Sequence, residues 1–265
     1  MIEHNVALEL LRLSMLVYNY GEKFTLNEDE TIEIFISDLN DNISISNENI
    51  LLDISKNCPS GKVCKFVSDE KTDTQGCIVI DDKNICIVFR GSSSIKDWLV
   101  NLQFRKHHLK DDIWIHKGFY KAIMSVYRTL ADKVKEQIIL FPNHNIYITG
   151  HSLAGALSSL FGYLLSDEIE NNITIVAFAS PRVGNKGWYK SFMKKKNLKE
   201  YRINNNRDIV TALPYINYYH VGESIRLFKK KYYLSNVDKN SIFKYWRFTD
   251  HLCSSYYKNL NIITW

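Results

Sequence analysis

The sequence predicts an α/β protein with a central, mostly parallel sheet flanked by helices. Short apolar runs rich in Ile and Val alternate with longer segments whose apolar residues recur at helical spacing, which is the order of successive βαβ units. The 265 residues are 45% hydrophobic and 13% aromatic, enough to bury one large core. The 11 glycines and 4 prolines show no period, so collagen-like and repeat architectures are excluded.

Helices are predicted where apolar residues recur every three or four positions. The predicted helices span residues 4–19, 118–138, 152–165 and 250–258. Strands are predicted at short β-branched runs. The predicted strands span residues 76–80, 85–89, 145–149, 173–179 and 201–203, with further candidates at 225–234 and 242–248.

The polar residues 81–84 predict a hairpin between the first two strands. Residues 25–60 are acidic and rich in Asn and Ile, and their pattern gives no assignment. The chain shows no linker, repeat or low-complexity tract, so residues 1–265 are predicted to form a single domain.

The net charge of +5 is unevenly distributed. Residues 1–60 hold 11 acidic and 3 basic side chains, a net of −8, whereas residues 186–247 hold 15 basic and 4 acidic, a net of +11. Three interpretations of the basic residues 186–247 are open: a solvated surface, a peripheral contact with an anionic membrane or lipid droplet, and a nucleic-acid site. The nucleic-acid interpretation is the weakest, because no stacking-aromatic or helix-turn-helix pattern accompanies the charge. We therefore expect no nucleic-acid partner.

The five cysteines do not indicate a disulfide framework, although a bridge between Cys58 and Cys64 remains open. The first residues carry Glu3 and Glu9 where a signal peptide would carry lysine or arginine. No apolar run approaches the roughly 20 residues of a membrane span. These observations predict an intracellular, cytoplasmic protein, peripheral to membranes if it contacts them. They assign no oligomeric state.

The most informative stretch is a strand, a sharp turn and a helix around Ser152. A serine at such a turn projects its hydroxyl above the carboxyl end of the sheet, beside the positive end of the helix dipole. The close approach of strand and helix requires small residues two positions before and after, and these are Gly150 and Ala154. Ala154 departs from the usual G-x-S-x-G pattern by one methyl group, which Gly155 helps to accommodate. The turn predicts a nucleophilic serine; the alternative is a serine that caps a core helix.

Six segments of the chain resemble a known family. They are IVFRGSSSIKDWLVNL at 87–102, IHKGF at 115–119, GHSLAGAL at 150–157, SPRVGN at 180–185, NNRDIV at 205–210 and DHL at 250–252. In this order and spacing they resemble the class 3, or fungal-type, lipases. The resemblance implies the α/β-hydrolase fold with a short lid helix, and carboxylic-ester hydrolysis through an acyl-enzyme.

A nucleophilic serine needs a general base. After Ser152 the histidines are His220 and His251. The resemblance places the base at His251, and His220 is the alternative. The base in turn needs an orienting carboxylate, and the candidates are Asp167, Asp208, Asp238 and Asp250.

The resemblance places the carboxylate at Asp208, in NNRDIV. Asp250 is the alternative, as is a structural ion pair between Asp208 and Arg207. The same resemblance gives the two oxyanion donors as the backbone N–H of Leu153 and the N–H and hydroxyl of Ser92. The alternative for Ser92 is a polar turn after a strand.

Residues 95–102 match the lid of the family. Ile95, Trp98, Leu99 and Leu102 form one apolar helical face, which suits a segment that covers a cleft or enters a lipid surface. The alternative is an ordinary surface helix. His116 and Arg182 also lie in matching segments and are expected to be structural.

The predicted substrate is an acylglycerol or phospholipid ester. The alternatives are a lipase-fold signalling or binding protein without catalysis, and an esterase for soluble esters. The sequence shows no metal-ligand cluster, phosphate-binding glycine loop or dinucleotide fingerprint, so we expect no cofactor and no metal.

Overall fold

The computed structural model describes residues 1–19, 60–91, 105–235 and 247–265. The helices in these ranges are α1 (His4–Asn19), α2 (Lys117–Leu140), α3 (Leu153–Leu165), α4 (Lys186–Met193) and α5 (Cys253–Ile262). The strands are β1 (Lys62–Asp69), β2 (Thr74–Ile80), β3 (Asn84–Phe89), β4 (Lys106–Lys110), β5 (Ile113–His116), β6 (Asn145–His151), β7 (Ile173–Phe178), β8 (Leu198–Asn205), β9 (Glu223–Phe228) and β10 (Lys231–Ser235).

Eight of these strands form one sheet in the order β1-β2-β3-β6-β7-β8-β9-β10. The five central strands, from β3 to β9, run parallel, and antiparallel hairpins complete the two ends. Because parallel strands end at a common edge, the segments that follow β6, β8 and β9 all emerge on the same side of the sheet. Strands β4 and β5 pair with each other as a separate ribbon.

Buried side chains of alternate strand residues fill the two faces of the sheet. On one face, Val88 and Ile203 pack with α1 and α5. On the other, Ile87 and Ile148 pack with α2, α3 and α4. The two-sided burial explains why the central strands read as nearly continuous apolar runs rather than as alternating ones.

The two terminal helices also contact each other. The Nε2 atom of His4 lies 2.8 Å from the carbonyl oxygen of Leu260, and the Trp265 indole N–H donates to the carbonyl of Ile2 at 2.9 Å. Helix α5, which follows His251 directly in the chain, is therefore held against the sheet by α1.

The mostly parallel sheet with flanking helices confirms the predicted fold class. Two boundaries differ from the prediction. Residues 225–234 form two strands, because Lys229 and Lys230 both adopt positive φ and reverse the chain. The last helix begins at Cys253, because Leu252 is extended (φ −58°, ψ 136°) after a short 3-10 turn, Phe248–His251.

Four elements were not predicted: β1, β4, β5 and α4. Each is short or has a polar sequence, such as the KHHLK of β4, so neither spacing nor apolar content indicates it. Within the candidate strand 242–248, residues 242–246 lie outside the described part of the chain. No helix in the described ranges has the length and apolar character needed to cross a membrane.

Strand β6 and helix α3 approach each other closely where they meet at the carboxyl edge. A Cβ atom added to Gly150 would lie 2.5 Å from the Cβ atom of Ala154. A Cβ atom added to Gly155 would lie 2.8 Å from the Cβ atom of Ser180, in the loop after β7. These distances agree with the predicted need for small residues, and Gly155 permits a second close approach on the other side of the turn.

An acidic side chain is buried in the face that α3 covers. Glu200 of β8 is 3% exposed. Burial raises the pKa of its carboxyl to about 8, although Arg202 and Ser159 favour the charged form. The protein therefore carries a carboxyl group that holds its proton near neutral pH.

We expect Gly150→Ala to lower the free energy of unfolding by about 1–3 kcal/mol, because the new methyl group overlaps Ala154. Thermal or denaturant unfolding measures the loss. Ala154→Gly completes a double-mutant cycle: added to Gly150→Ala, it should restore part of the stability, although alone it destabilises. An unchanged unfolding midpoint in Gly150→Ala would contradict the close contact.

We expect Glu200→Gln to become progressively more stable than the wild type as the pH rises from 5.5 to 8.5, by ~3 kcal/mol in all. The folded carboxyl keeps a proton up to about pH 8, whereas its ordinary pKa is 4.5. Between these two pKa values the folded state binds the proton and the unfolded state does not. The free energy of unfolding of the wild type therefore falls as the pH rises. Urea titrations at both pH values measure the difference. The exposed Glu70→Gln controls for loss of one charge, and an equal change in both variants would refute the prediction.

Candidate active site

Ser152 occupies the turn between β6 and α3. Its backbone has φ 64° and ψ −127°, a conformation that residues other than glycine rarely adopt and that commonly marks a functional site. The turn is held because the Ser152 N–H donates to the carbonyl of Phe178 at 2.9 Å. The side chain makes no capping hydrogen bond to α3, which excludes the capping alternative.

The hydroxyl of Ser152 lies 2.8 Å from Nε2 of His251. The Nδ1 atom of His251 lies 2.9 Å from both carboxylate oxygens of Asp208. All three side chains are buried, with exposed fractions of 1%, 0% and 1% for Ser152, His251 and Asp208. The three residues predicted from the sequence are thus brought into one continuous hydrogen-bonded chain, in which the imidazole can take the serine proton.

The carboxylate of Asp208 is held by further donors besides His251. The hydroxyl of Tyr256, on α5, donates to Oδ2 at 2.7 Å. The N–H of Val210 donates to Oδ1 at 2.9 Å. A buried carboxylate is costly unless such donors compensate for the lost water, so these bonds stabilise Asp208 where His251 needs it.

The hydroxyl of Tyr256 is fixed from its other side, because the N–H of Asn205 donates to it at 3.0 Å. Burial raises the pKa of Tyr256 well above its ordinary value, and the neighbouring Asp208 carboxylate adds to this effect. Tyr256 therefore remains a protonated donor to the carboxylate.

A second buried histidine supports the loop that carries His251. The Nε2 atom of His151 lies 2.8 Å from the backbone carbonyl oxygen of His251. Burial, followed by the nearby His251, lowers the pKa of His151 well below its ordinary value. A neutral ring at this position donates one N–H to the carbonyl without adding positive charge beside His251.

Asn205 connects the end of β8 to the same loop. Its side-chain amide donates to the carbonyl of Asp250 at 2.9 Å. Its oxygen accepts from the side-chain amide of Asn259, on α5, at 2.7 Å. The segments before Asp208 and before His251 are thereby joined by side-chain bonds.

The alternative site residues lie elsewhere or act differently. His220 is buried, and its Nε2 atom lies 2.7 Å from the carbonyl oxygen of Thr211, whereas the Ser152 hydroxyl lies 2.8 Å from Nε2 of His251. The carboxylate of Asp250 accepts the N–H of Arg207 at 3.1 Å. Asp167 pairs with Lys195 at the surface. Asp238 lies outside the described residues.

Leu153 is the first residue of α3, where backbone N–H groups have no acceptor within the helix. The second predicted oxyanion donor, Ser92, lies outside the described residues, as do the predicted lid positions Ile95, Trp98, Leu99 and Leu102. No group of three or more His, Cys, Asp or Glu side chains in the described ranges has the arrangement of a metal site.

The two residues predicted to be structural are confirmed in that role. The Nδ1 atom of His116 accepts the N–H of Phe119 at 3.3 Å and caps α2. The guanidinium of Arg182 donates to the carbonyls of Ala212 and Pro214, in the segment after Asp208.

No role of Tyr256, Asn205 or His151 was predicted from the sequence. His151 stands beside Ser152 in the turn motif, so its position was a usable signal. Tyr256 reaches Asp208 and Asn205 only through the packing of α5 on β8, which no spacing rule reveals.

Comparison with known proteins places this site in a family. The family described as Lipase (class 3) matches residues 86–218, half of the chain. A lipase of Rhizomucor miehei is 32% identical over 172 residues, which cover 61% of this chain and 47% of that protein. Phospholipase A(1) DAD1, chloroplastic, of Arabidopsis thaliana is 28% identical over 152 residues, covering 50% of this chain and 34% of that protein.

Among solved structures, the triacylglyceride lipase of Rhizomucor miehei superposes with a TM-score of 0.76 at 24% identity, covering 94% of this chain and 92% of that one. The chain spans about half the length of the first full-length relative and a third of the second. The matched half of the chain contains the Ser152 turn and Asp208. The protein belongs to the class 3 lipase family.

Proposed function

We propose that the protein is a serine carboxylic-ester hydrolase that cleaves acylglycerol or phospholipid esters through an acyl-enzyme. The observation that carries the proposal is the buried hydrogen-bonded chain from Ser152 through His251 to Asp208. Family membership supports it, since the Rhizomucor and Arabidopsis relatives are named as a lipase and a phospholipase A(1).

In this mechanism Ser152 is the nucleophile. His251 takes the hydroxyl proton as the oxygen attacks the ester carbonyl, and it then gives that proton to the leaving alcohol. Water repeats the sequence on the acyl-enzyme and releases the fatty acid. Asp208 holds the imidazole tautomer and stabilises the imidazolium that forms in each half of the reaction.

The oxyanion of each tetrahedral intermediate needs hydrogen-bond donors that are already in position before the reaction begins. We assign one to the N–H of Leu153, because it stands at the start of α3 next to the nucleophile. We assign the other to Ser92, whose position after Arg90 and Gly91 follows the family pattern.

We further propose that residues 95–102 act as a lid, with Ile95, Trp98, Leu99 and Leu102 as its apolar face. Support comes from the helical spacing of these residues and from the 1% exposure of Ser152. An ester carbonyl reaches so deeply buried a hydroxyl only after a covering segment moves. An apolar face would favour that movement at a lipid surface.

We propose that the protein works inside the cell. Cys77, Cys86 and Cys253 are free thiols, which reducing compartments preserve. Cys58, one half of the disulfide left open by the sequence, lies outside the described residues.

The direct test compares the wild type with Ser152→Ala on short-chain p-nitrophenyl esters, tributyrin emulsion and phospholipid vesicles. We expect the variant to lose at least ~1000-fold in kcat, because the nucleophile is absent. An organophosphonate should add to Ser152 in the wild type, as measured by intact-protein mass. A folded wild type that neither hydrolyses any of these esters nor takes up the label would instead favour the non-catalytic binding protein.

Activity that rises sharply when tributyrin passes its solubility limit would support the lid. Equal activity on dissolved and emulsified ester would favour an esterase for soluble substrates. The ratio of tributyrin to phospholipid hydrolysis assigns the substrate class.

We expect Tyr256→Phe to lower kcat on a soluble ester about tenfold, with KM nearly unchanged. Without the bond to Oδ2, Asp208 has fewer hydrogen-bond donors and holds the imidazole of His251 less firmly. A tenfold loss in kcat corresponds to a rise of ~1.4 kcal/mol in the activation free energy. Steady-state kinetics measures both constants. Tyr257→Phe is the matched control. The Tyr257 hydroxyl, also on α5, accepts from the side chain of Arg12 at 3.1 Å, a contact between the two terminal helices. Equal kinetics for the two variants would show that Tyr256 is not a positioning residue.

A further inference from the structure

The turn between β9 and β10 lies at the same edge of the sheet as the candidate active site. Strand β9 runs parallel to β8, and Asn205 stands opposite Leu227. Beyond that pair, the N–H of Asn206 donates to the carbonyl of Leu227 at 2.7 Å. The segment that leads into Asp208 is therefore hydrogen-bonded to the end of β9, one residue before the turn.

This turn consists of consecutive lysines. Phe228 pairs with Lys231, which leaves Lys229 and Lys230 as a two-residue hairpin loop. Both have positive φ, 51° and 60°, the conformation for which Asn-Gly is the favoured pair. Lys229, Lys230 and Lys231 are all exposed. The chain thus places two long cationic side chains where backbone geometry alone favours short ones, and we name residues 228–231 the basic hairpin.

A second lysine triplet lies elsewhere in the fold and can be compared with the first. Lys194–Lys196 follows α4 and precedes the first residue of β8, so it lies toward the opposite edge of the sheet. Lys194 and Lys196 are exposed, like the lysines of the basic hairpin. The two groups carry similar charge, but one lies at the edge with Ser152 and the other lies away from it.

Exposed apolar side chains accompany the basic hairpin at the active-site edge. Phe248 and Leu252 flank His251 in the chain and are 51% and 47% exposed. Lysines and exposed apolar groups at one edge of the sheet match an anionic bilayer surface, with headgroup phosphates for the cations and acyl chains for the apolar groups. The alternative partner, a single-stranded nucleic acid, also pairs cations with aromatic groups such as Phe228, but it offers no acyl region for Leu252.

We propose that the basic hairpin is a docking element for anionic phospholipid surfaces and turns the carboxyl edge of the sheet, with Ser152, toward the bilayer. The proposal deepens the proposed function, because it states which lipid surface the hydrolase would work on. It assigns the hairpin to binding and orientation, not to the chemistry.

The test measures co-sedimentation with vesicles in the Ser152→Ala background, so that no lipid is consumed. Vesicles of phosphatidylcholine alone are compared with vesicles that also contain phosphatidylglycerol. We expect binding to the anionic vesicles only, weakened by added salt. Lys229→Asn with Lys230→Gly should bind them about tenfold to thirtyfold more weakly. That variant should fold at least as stably, because Asn-Gly suits the turn, and thermal unfolding checks this.

Lys194→Gln with Lys196→Gln is the matched control, with the same charge lost at the other edge, and it should bind like the parent. Equal losses in both double variants would overturn the proposal in favour of a net-charge effect. So would absent binding to anionic vesicles, or a preference for single-stranded DNA over them. Soluble-ester hydrolysis by the wild type reports on the proposed function separately: an active enzyme that does not bind vesicles refutes only the docking role.

Discussion

The close contact between β6 and α3 sets the geometry of everything at the carboxyl edge. Gly150 and Ala154 touch across the turn, so the chain reverses direction around Ser152 with positive φ. That reversal lifts the hydroxyl off the end of the strand, while the bond from its N–H to Phe178 ties the turn to β7. Asp208 follows β8, a parallel strand that ends at the same edge, and His251 comes from the 3-10 turn Phe248–His251. A larger residue at Gly150 would displace the hydroxyl relative to His251 even if the other contacts survived.

The second constraint is the burial of a carboxylate. Asp208 is nearly inaccessible to water, and its oxygens are compensated by His251, Tyr256 and the Val210 N–H. Val210 is local to Asp208, whereas His251 and Tyr256 come from one stretch of the chain that follows 43 and 48 positions later. Helix α5 is held by α1 on the far face of the sheet, and so the packing of the terminal helices reaches the carboxylate through one tyrosine hydroxyl. The hydrogen bond from Tyr256 to Asp208 thus connects the packing of the terminal helices to the candidate active site.

The parts of the fold with strong local patterns were predictable. The central strands and the helices α1, α2 and α3 follow from apolar runs and helical spacing, and the serine turn follows from the small residues around Ser152. Strand β4 was missed because its sequence is polar, and β5 because it is only four residues long; the two form a ribbon outside the main sheet. Choosing His251 over His220 needed the family resemblance, because spacing treats the two alike. The role of Tyr256 was not predictable from the sequence, since its bonds to Asp208 and Asn205 arise from the tertiary packing of α5.

The residues of the hydrogen-bonded chain are far apart in sequence: 99 positions separate Ser152 from His251, and 43 separate Asp208 from His251. Contacts of such range form late, because the entropy of closing a long loop must be offset before the contact adds stability. A growing chain on the ribosome exposes the serine turn well before the histidine has been made. A partly folded chain therefore contains a serine with no base to activate it. The hydrogen-bonded chain is complete only once the 3-10 turn that carries His251 has packed against the carboxyl edge of the sheet.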